Sequence, residues 1–242
     1  MKISVVVPVH NEADNIIPLI NEIVDAMAVA EQYEIIYVDD GSSDATETIL
    51  QQALQHVKNL RVIKHQHSYG QSTAIYTGIK ASRYPWIATL DGDGQNDPSD
   101  IPSLYNMLIE KQKTTPNLWM VAGWRDKRHD SHWRLLSSKV ANTVRSSLLG
   151  DNTPDTGCGL KIFSREGFLS LPYFDHMHRF LPALVLRAGG QVISEPVNHR
   201  ARTRGQSKYG TLDRLWAGVT DLLGVIWLQK RARIVEAKEL EH

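Results

Sequence analysis

Cysteine is nearly absent: Cys158 is the only one in 242 residues. No internal disulfide can form, so the fold must rest on its core, and a reducing compartment is the simplest setting. An excess of one charge is also missing, with 27 Lys and Arg against 27 Asp and Glu. That balance gives no reason to expect nucleic acid as a partner. No stretch reaches the roughly 20 apolar residues of a membrane-spanning helix. The N-terminus runs straight into a strand-like segment, so no leader peptide is visible. Internal repeats and low-complexity tracts are lacking too.

What is present suits one sizeable α/β domain with a short appendage. Hydrophobic residues make up 42% and charged residues 22%, enough to bury a core without staples. Apolar, β-branched runs at 3–9, 33–38, 60–64, 86–90 and 118–122 read as strands. Helical patterns separate them at 15–30, from a cap at Ser42 or Ser43 to about 57, and at 72–82 and 101–112. This alternation predicts a mainly parallel sheet with helices on both faces. The second half is less regular, with helices expected at 133–149 and 180–188 and strands at 159–164 and 191–197.

The C-terminal region is unusual. Leu212, Leu215, Trp216, Val219, Leu222, Leu223, Ile226 and Trp227 recur at helical spacing and predict one continuous apolar stripe. From His199 to Arg233 there are eight Lys or Arg against two acids, Asp213 and Asp221. Two readings stand. The stripe packs on its own domain or in a homo-oligomer, or it lies in a membrane interface with its basic flank toward anionic lipid. The boundaries expected are 1–210 for the main domain and 211–239 for the helical extension, with 240–242 set aside as a tag remnant.

Three acidic segments fall at expected strand ends. Asp91-Gly92-Asp93-Gly94-Gln95 follows the fourth strand. Carboxylates two apart on an extended chain point the same way, and with an amide oxygen they suit a hard cation such as Mg²⁺ or Mn²⁺. The glycines allow a tight turn. An ordinary acidic turn and a calcium loop compete with this reading, although the later ligands of an EF-hand are missing. Asp39-Asp40-Gly41-Ser42-Ser43-Asp44 follows the second strand, where the carboxylates suit a base N–H or ribose hydroxyls, or the start of a helix. Glu12 lies in Val7-Pro8-Val9-His10-Asn11-Glu12 at the end of the first strand. Ligands of open α/β sheets bind at these carboxyl ends.

Together the three segments resemble those of family 2 glycosyltransferases with a GT-A fold. Later segments narrow the likeness: Arg125, Arg134 to Ser138, Asp155-Thr-Gly-Cys-Gly-Leu-Lys161, and Arg202-Thr-Arg-Gly-Gln-Ser-Lys208-Tyr209. They are similar to the dolichyl-phosphate mannosyltransferase branch, whose bacterial relatives charge undecaprenyl phosphate with a sugar. The resemblance runs to about residue 230.

The resemblance implies an inverting transfer from a UDP- or GDP-sugar to a polyprenyl phosphate, by an enzyme peripheral on the cytoplasmic membrane's inner face. Asp91, Asp93 and Gln95 would hold the metal. Pro8, His10, Glu12, Asp39, Asp40 and Asp91 would line the nucleotide-sugar. Arg202 and Lys208 would close over the diphosphate, where leaving-group charge develops. Arg125, Arg134 and Ser138 would hold the acceptor phosphate, which guanidinium binds in two-pronged fashion. Asp155 would orient an arginine, contact sugar hydroxyls or act as a base. Asp93, Asp155, Arg202 and Lys208 are thus the expected catalytic set.

There are departures. Gln71 stands where many relatives carry Lys or Arg, and His10 where Tyr is frequent. Cys158 reads as a packed residue, and His176 and His178 as surface or capping residues. Three rivals remain: a transferase with a glycan acceptor, a nucleotidyltransferase, and a non-catalytic nucleotide-sugar sensor. The acidic, glycine-free Pro8 to Glu12 counts against the second.

Overall fold

The computed structural model describes residues 1–125, 145–201 and 211–233, with residues 211–217 described by backbone alone. Arg134, Ser138, Arg202 and Lys208, and most of the helix expected at 133–149, lie outside the described residues.

Seven strands form one sheet: β1 (Lys2–Val9), β2 (Gln32–Asp39), β3 (Leu60–Lys64), β4 (Trp86–Thr89), β5 (Leu118–Arg125), β6 (Lys161–Ser164) and β7 (Gln191–Val197). Their order is β3-β2-β1-β4-β6-β5-β7. The first four are mutually parallel, and β5 pairs in parallel with β7. Only β6 is reversed, lying antiparallel between β4 and β5. The expected parallel sheet is present, and the reversed strand is an addition that four residues of sequence do not announce.

Helices cover both faces. On one, α1 (Ala13–Ala26), α2 (Thr46–Leu54) and α4 (Ile101–Gln112) set Ile16, Leu19, Ile23, Leu50 and Leu104 against Ile3, Val5 and Val7. On the other, α3 (Gln71–Ala81), α5 (Arg165–Leu169), α6 (Leu181–Arg187) and α7 (Thr211–Lys230) close over Val6, Ile36, Val38 and Met120. Alternate residues of β1 therefore enter different cores. A strand buried on both faces reads as a continuous apolar run rather than an alternating one.

The side chains of Leu212, Leu215 and Trp216 lie outside the described residues, and the rest of the expected C-terminal stripe divides between a packed and an exposed face. Val225 is fully buried, while Leu222 and Ile226 pack partly against the α6 side. Arg187 Nε donates to the Leu228 carbonyl and Gln229 Nε2 to that of Leu149, fixing the helix in place. Val219, Leu223 and Trp227 stay exposed, Trp227 by 59%. Helical spacing alone cannot separate these two faces when both are apolar. Among the described residues, no helix is long and apolar enough to cross a membrane.

Candidate active site

The ends of β1 and β2 are laced together. Asn11 adopts a left-handed conformation, with φ 53°. Its backbone N–H donates to Ser42 Oγ at 2.8 Å, and its Oδ1 accepts from the Ser43 N–H at 2.6 Å. The Glu12 N–H donates to Thr46 Oγ1 at 2.9 Å. Contrary to the expectation from sequence, Ser42 and Ser43 bridge two loops and do not cap α2. Asp44 Oδ1 accepts from the Thr46 N–H instead. Pro8 lies in β1 opposite Val38, and His10 Nδ1 donates to the Asp40 carbonyl at 2.8 Å.

The two aspartates of this corner do different things. Asp40 accepts from His65 Nδ1, Ser68 Oγ and the N–H groups of Tyr69 and Gly70, all within 2.9 Å. Burial pushes its carboxyl up, but these hydrogen bonds outweigh burial and hold it below its ordinary value. Asp40 thus holds the loop leading into α3. Asp39 is 1% exposed. Its Oδ1 accepts from the Ser42 N–H, whereas its Oδ2 is buried without a hydrogen-bond partner. A buried carboxylate oxygen with nothing to accept from is costly, and it presents an acceptor to an incoming donor.

The acidic turn after β4 is wedged between two backbones. A Cβ on Gly92 would lie 2.4 Å from Val9 Cγ1, and a Cβ on Gly159 would lie 2.4 Å from Asp91 Cγ. No side chain fits at either place, so the turn presses on β1 while the loop 155–161 crosses the Asp91 carboxylate. Asp91 Oδ1 accepts from Gln71 Nε2 at 2.8 Å, and its N–H donates to Asn96 Oδ1 at 3.1 Å. Asp93 Oδ1 accepts from the Gln95 N–H at 3.1 Å. Gln95 Nε2 donates to the Arg200 carbonyl, which turns the amide nitrogen away and leaves the amide oxygen as its metal-compatible end.

Burial, and then repulsion from Asp93, pushes the Asp91 carboxyl up to about 6, against the pull of Lys161, Arg125 and Gln71. Two hard carboxylates that repel each other fit a divalent cation. Among the described residues, no group of three or more His, Cys, Asp or Glu gathers to hold a metal. The groups that this turn offers are the two carboxylates and the Gln95 amide.

Arg125 ends β5. Its Nε donates to Asp155 Oδ2 at 2.6 Å and its Nη2 to Asp155 Oδ1 at 2.9 Å. Asp155 is 4% exposed and also accepts from the Gly157 N–H. Of the roles expected for Asp155, orienting an arginine is the one its hydrogen bonds build. Lys161 begins β6, is 4% exposed, and donates to the Thr156 and Cys158 carbonyls. Burial pushes the Cys158 thiol up, which leaves it a packed residue and no nucleophile. His178 Nδ1 lies 2.7 Å from Ser72 Oγ, and His176 Nδ1 donates to Asp221 Oδ2 at 2.9 Å. Both histidines tie loops to α3 and α7.

Sequence reasoning missed Gln71 as the partner of Asp91, and also Asn96 and Lys161. Gln71 was visible as a departure from relatives, Lys161 ended a segment that carried the likeness but was given no role, and Asn96 carried no signal in spacing.

The model for glycosyl transferase family 2 matches residues 4–171. The chain belongs to this family. It is 36% identical over 238 residues, 95% of its length, to the dodecaprenyl-phosphate galacturonate synthase of Rhizobium johnstonii. It is 32% identical over 212 residues, 87% of its length, to the undecaprenyl-phosphate 4-deoxy-4-formamido-L-arabinose transferase of Edwardsiella ictaluri. Those matches span 68% and 63% of the relatives' own lengths. The fold is similar to glucosyl-3-phosphoglycerate synthase of Mycobacterium tuberculosis with Mn²⁺, UDP and phosphoglyceric acid, at TM-score 0.66 and 20% identity over 98% of this chain and 80% of that one. It is also similar to a Pyrobaculum calidifontis mannosyltransferase with GDP-Man and Mn²⁺, at TM-score 0.63 and 18% identity over 85% and 58%. The expected GT-A fold is therefore the fold observed, and the chain is a glycosyltransferase.

Proposed function

We propose that this glycosyltransferase moves a sugar from a UDP- or GDP-sugar to a polyprenyl phosphate, with inversion. The observation that carries the reading is the placement of Asp91 just past β4 and Arg125 at the end of β5, the two strands that flank β6, near enough to act on each other electrostatically. One suits a metal and a diphosphate, the other a phosphate acceptor. Similarity to two polyprenyl-phosphate sugar transferases over most of the chain supports the acceptor class.

The roles follow from the chemistry. The buried Asp39 Oδ2 accepts from the base, and Pro8, His10 and Glu12 line the nucleotide at the end of β1. Asp40 acts through the loop it holds. Asp91, Asp93 and Gln95 hold Mg²⁺ or Mn²⁺, which supplies positive charge to the departing diphosphate. Arg202 and Lys208 add charge there. Arg125, held edge-on by Asp155, binds the acceptor phosphate with Arg134 and Ser138. A phosphate oxygen is ionised at neutral pH, so holding it in line with the anomeric carbon matters more than removing a proton. The enzyme works peripherally on the inner face of the cytoplasmic membrane. The outward face of α7, with Val219, Leu223 and Trp227 ahead of Lys230 and Arg231, meets the lipid there.

The test is turnover with short-chain undecaprenyl or dolichyl phosphate, a panel of UDP- and GDP-sugars, and Mn²⁺ or Mg²⁺, beside Asp93→Ala. Lipid-linked sugar that needs both metal and Asp93 supports the reading. Nucleotide binding without any lipid product overturns the acceptor assignment.

A further inference from the structure

The reversed strand places a buried cation at the centre of the site. β6 enters the sheet at the edge where β4 and β5 end. Its first residue, Lys161, is paired with Thr89 on one side and Ala122 on the other. Asp91 lies two residues beyond Thr89, and Arg125 three beyond Ala122. The Lys161 ammonium is buried and donates to the Thr156 carbonyl at 3.4 Å and to the Cys158 carbonyl, folding the preceding loop back over itself. That loop touches both halves of the site. Asp155 at its start grips Arg125. Gly159 near its end lies against the Asp91 carboxylate, where Thr89 Oγ1 pins its carbonyl at 2.8 Å. Asn96 donates to Cys158 Sγ while its Oδ1 accepts from the Asp91 N–H.

We propose that Lys161 is a positioning residue for the transfer. Through the loop 155–161 it sets the Asp91 carboxylate for the metal and the Arg125 guanidinium for the acceptor, so one buried ammonium aligns donor and acceptor sides. The proposal rests on the reading of Asp91 and Arg125 given above. Lys161 touches neither substrate. Burial pulls the Lys161 ammonium below its ordinary value, and the nearby Asp91 and Asp155 carboxylates oppose that pull. Arg125 and Lys161 both lie in the fields of Asp91 and Asp155, so removing Lys161 leaves Arg125 as the remaining cation beside these two carboxylates.

The experiment compares the parent chain with Lys161→Met, Lys161→Arg and Asp93→Ala. Binding of Mn²⁺ with UDP or GDP is followed by loss of the free-ion paramagnetic signal, and turnover on lipid phosphate is followed as a function of Mn²⁺. Supporting groups around metal ligands commonly carry about 10–100-fold in affinity or rate. Lys161→Met is expected to raise the Mn²⁺ needed for half-saturation by about tenfold and to lower kcat by a similar factor, with Lys161→Arg recovering most of both. A purely structural lysine would lower the melting temperature and the active fraction while the Mn²⁺ midpoint stayed put, and that result overturns the proposal. If Lys161→Met does not fold, Lys161→Arg decides. A folded Lys161→Arg with parental Mn²⁺ midpoint and kcat supports a role for the charge, and one as impaired as Asp93→Ala overturns it. Should the parent fail to transfer sugar to lipid phosphate, the acceptor reading fails by itself, and the Mn²⁺ titration still decides Lys161.

Discussion

The Asp155 carboxylate holds the Arg125 guanidinium edge-on, Nε to Oδ2 at 2.6 Å and Nη2 to Oδ1 at 2.9 Å. Side-chain exposures of 15% and 6% make this a largely dry pair. Breaking such a pair strands a buried charge, which costs about 3–5 kcal/mol. Asp155→Asn is therefore expected to lower the urea midpoint by a corresponding amount. It should also lower kcat by about 100-fold, the scale of a misplaced positioning group. A variant that loses stability yet keeps kcat would remove Arg125 from the acceptor site.

Asp91 makes activity and stability respond to pH in opposite senses. Its carboxyl is pushed up to about 6, by burial first and then by Asp93. A cation needs the ionised form, so Mn²⁺ affinity should fall as pH drops through about 6. A carboxyl pKa raised by folding contributes stability below the ordinary value of 3.8, and that contribution is lost as pH rises through about 6. Without metal, Asp91→Asn should melt higher than the parent at neutral pH, with the gap closing in acid. Thermal melts in a chelator across pH check the sign. A gap that widens in acid would contradict the burial argument.

Two glycines offer a paired test of close approach. A Cβ on Gly159 would sit 2.4–2.6 Å from all three carboxylate atoms of Asp91, whereas one on Gly224 meets nothing within 4 Å. Gly159→Ala should abolish Mn²⁺-dependent turnover by displacing the metal carboxylate or the loop across it. Gly224→Ala, within α7, should be neutral for turnover and stabilise by about 0.5–1 kcal/mol through helix propensity. Equal effects from both would show that loop 155–161 yields easily.

The legible parts were those whose signal is local. β1 and β2 are buried on both faces and read as apolar runs, and the acidic segments that end strands could be placed from alternation alone. Contacts between distant segments were not legible. Nothing in a four-residue run says that β6 is reversed, and only that reversal brings Lys161 between Asp91 and Arg125. Ser42 and Ser43 look like helix caps because capping is a local rule, yet Asn11, over 30 residues away, takes them. Gln71 read as a loss of charge, because its partner Asp91 is a neighbour only in the folded chain.

The two faces of α7 can be separated by experiment. Val225 is fully buried, so Val225→Ala removes two methyl groups from the core and should cost about 2 kcal/mol. Leu223 is 62% exposed and Trp227 59%. Leu223→Glu and Trp227→Glu should leave stability within about 0.5 kcal/mol, as for most surface changes. On the lipid reading the same two substitutions should strip the protein from sedimented phosphatidylglycerol vesicles, whereas Val225→Ala should not. Lys230 and Arg231 would add about 1 kcal/mol each near an anionic surface, a contribution that salt screens. Binding should therefore weaken with salt without vanishing, because the apolar face remains. Vesicle binding untouched by either glutamate would remove the lipid role from this face. A monomer–dimer equilibrium that the same glutamates abolish would assign it to a second copy of the chain.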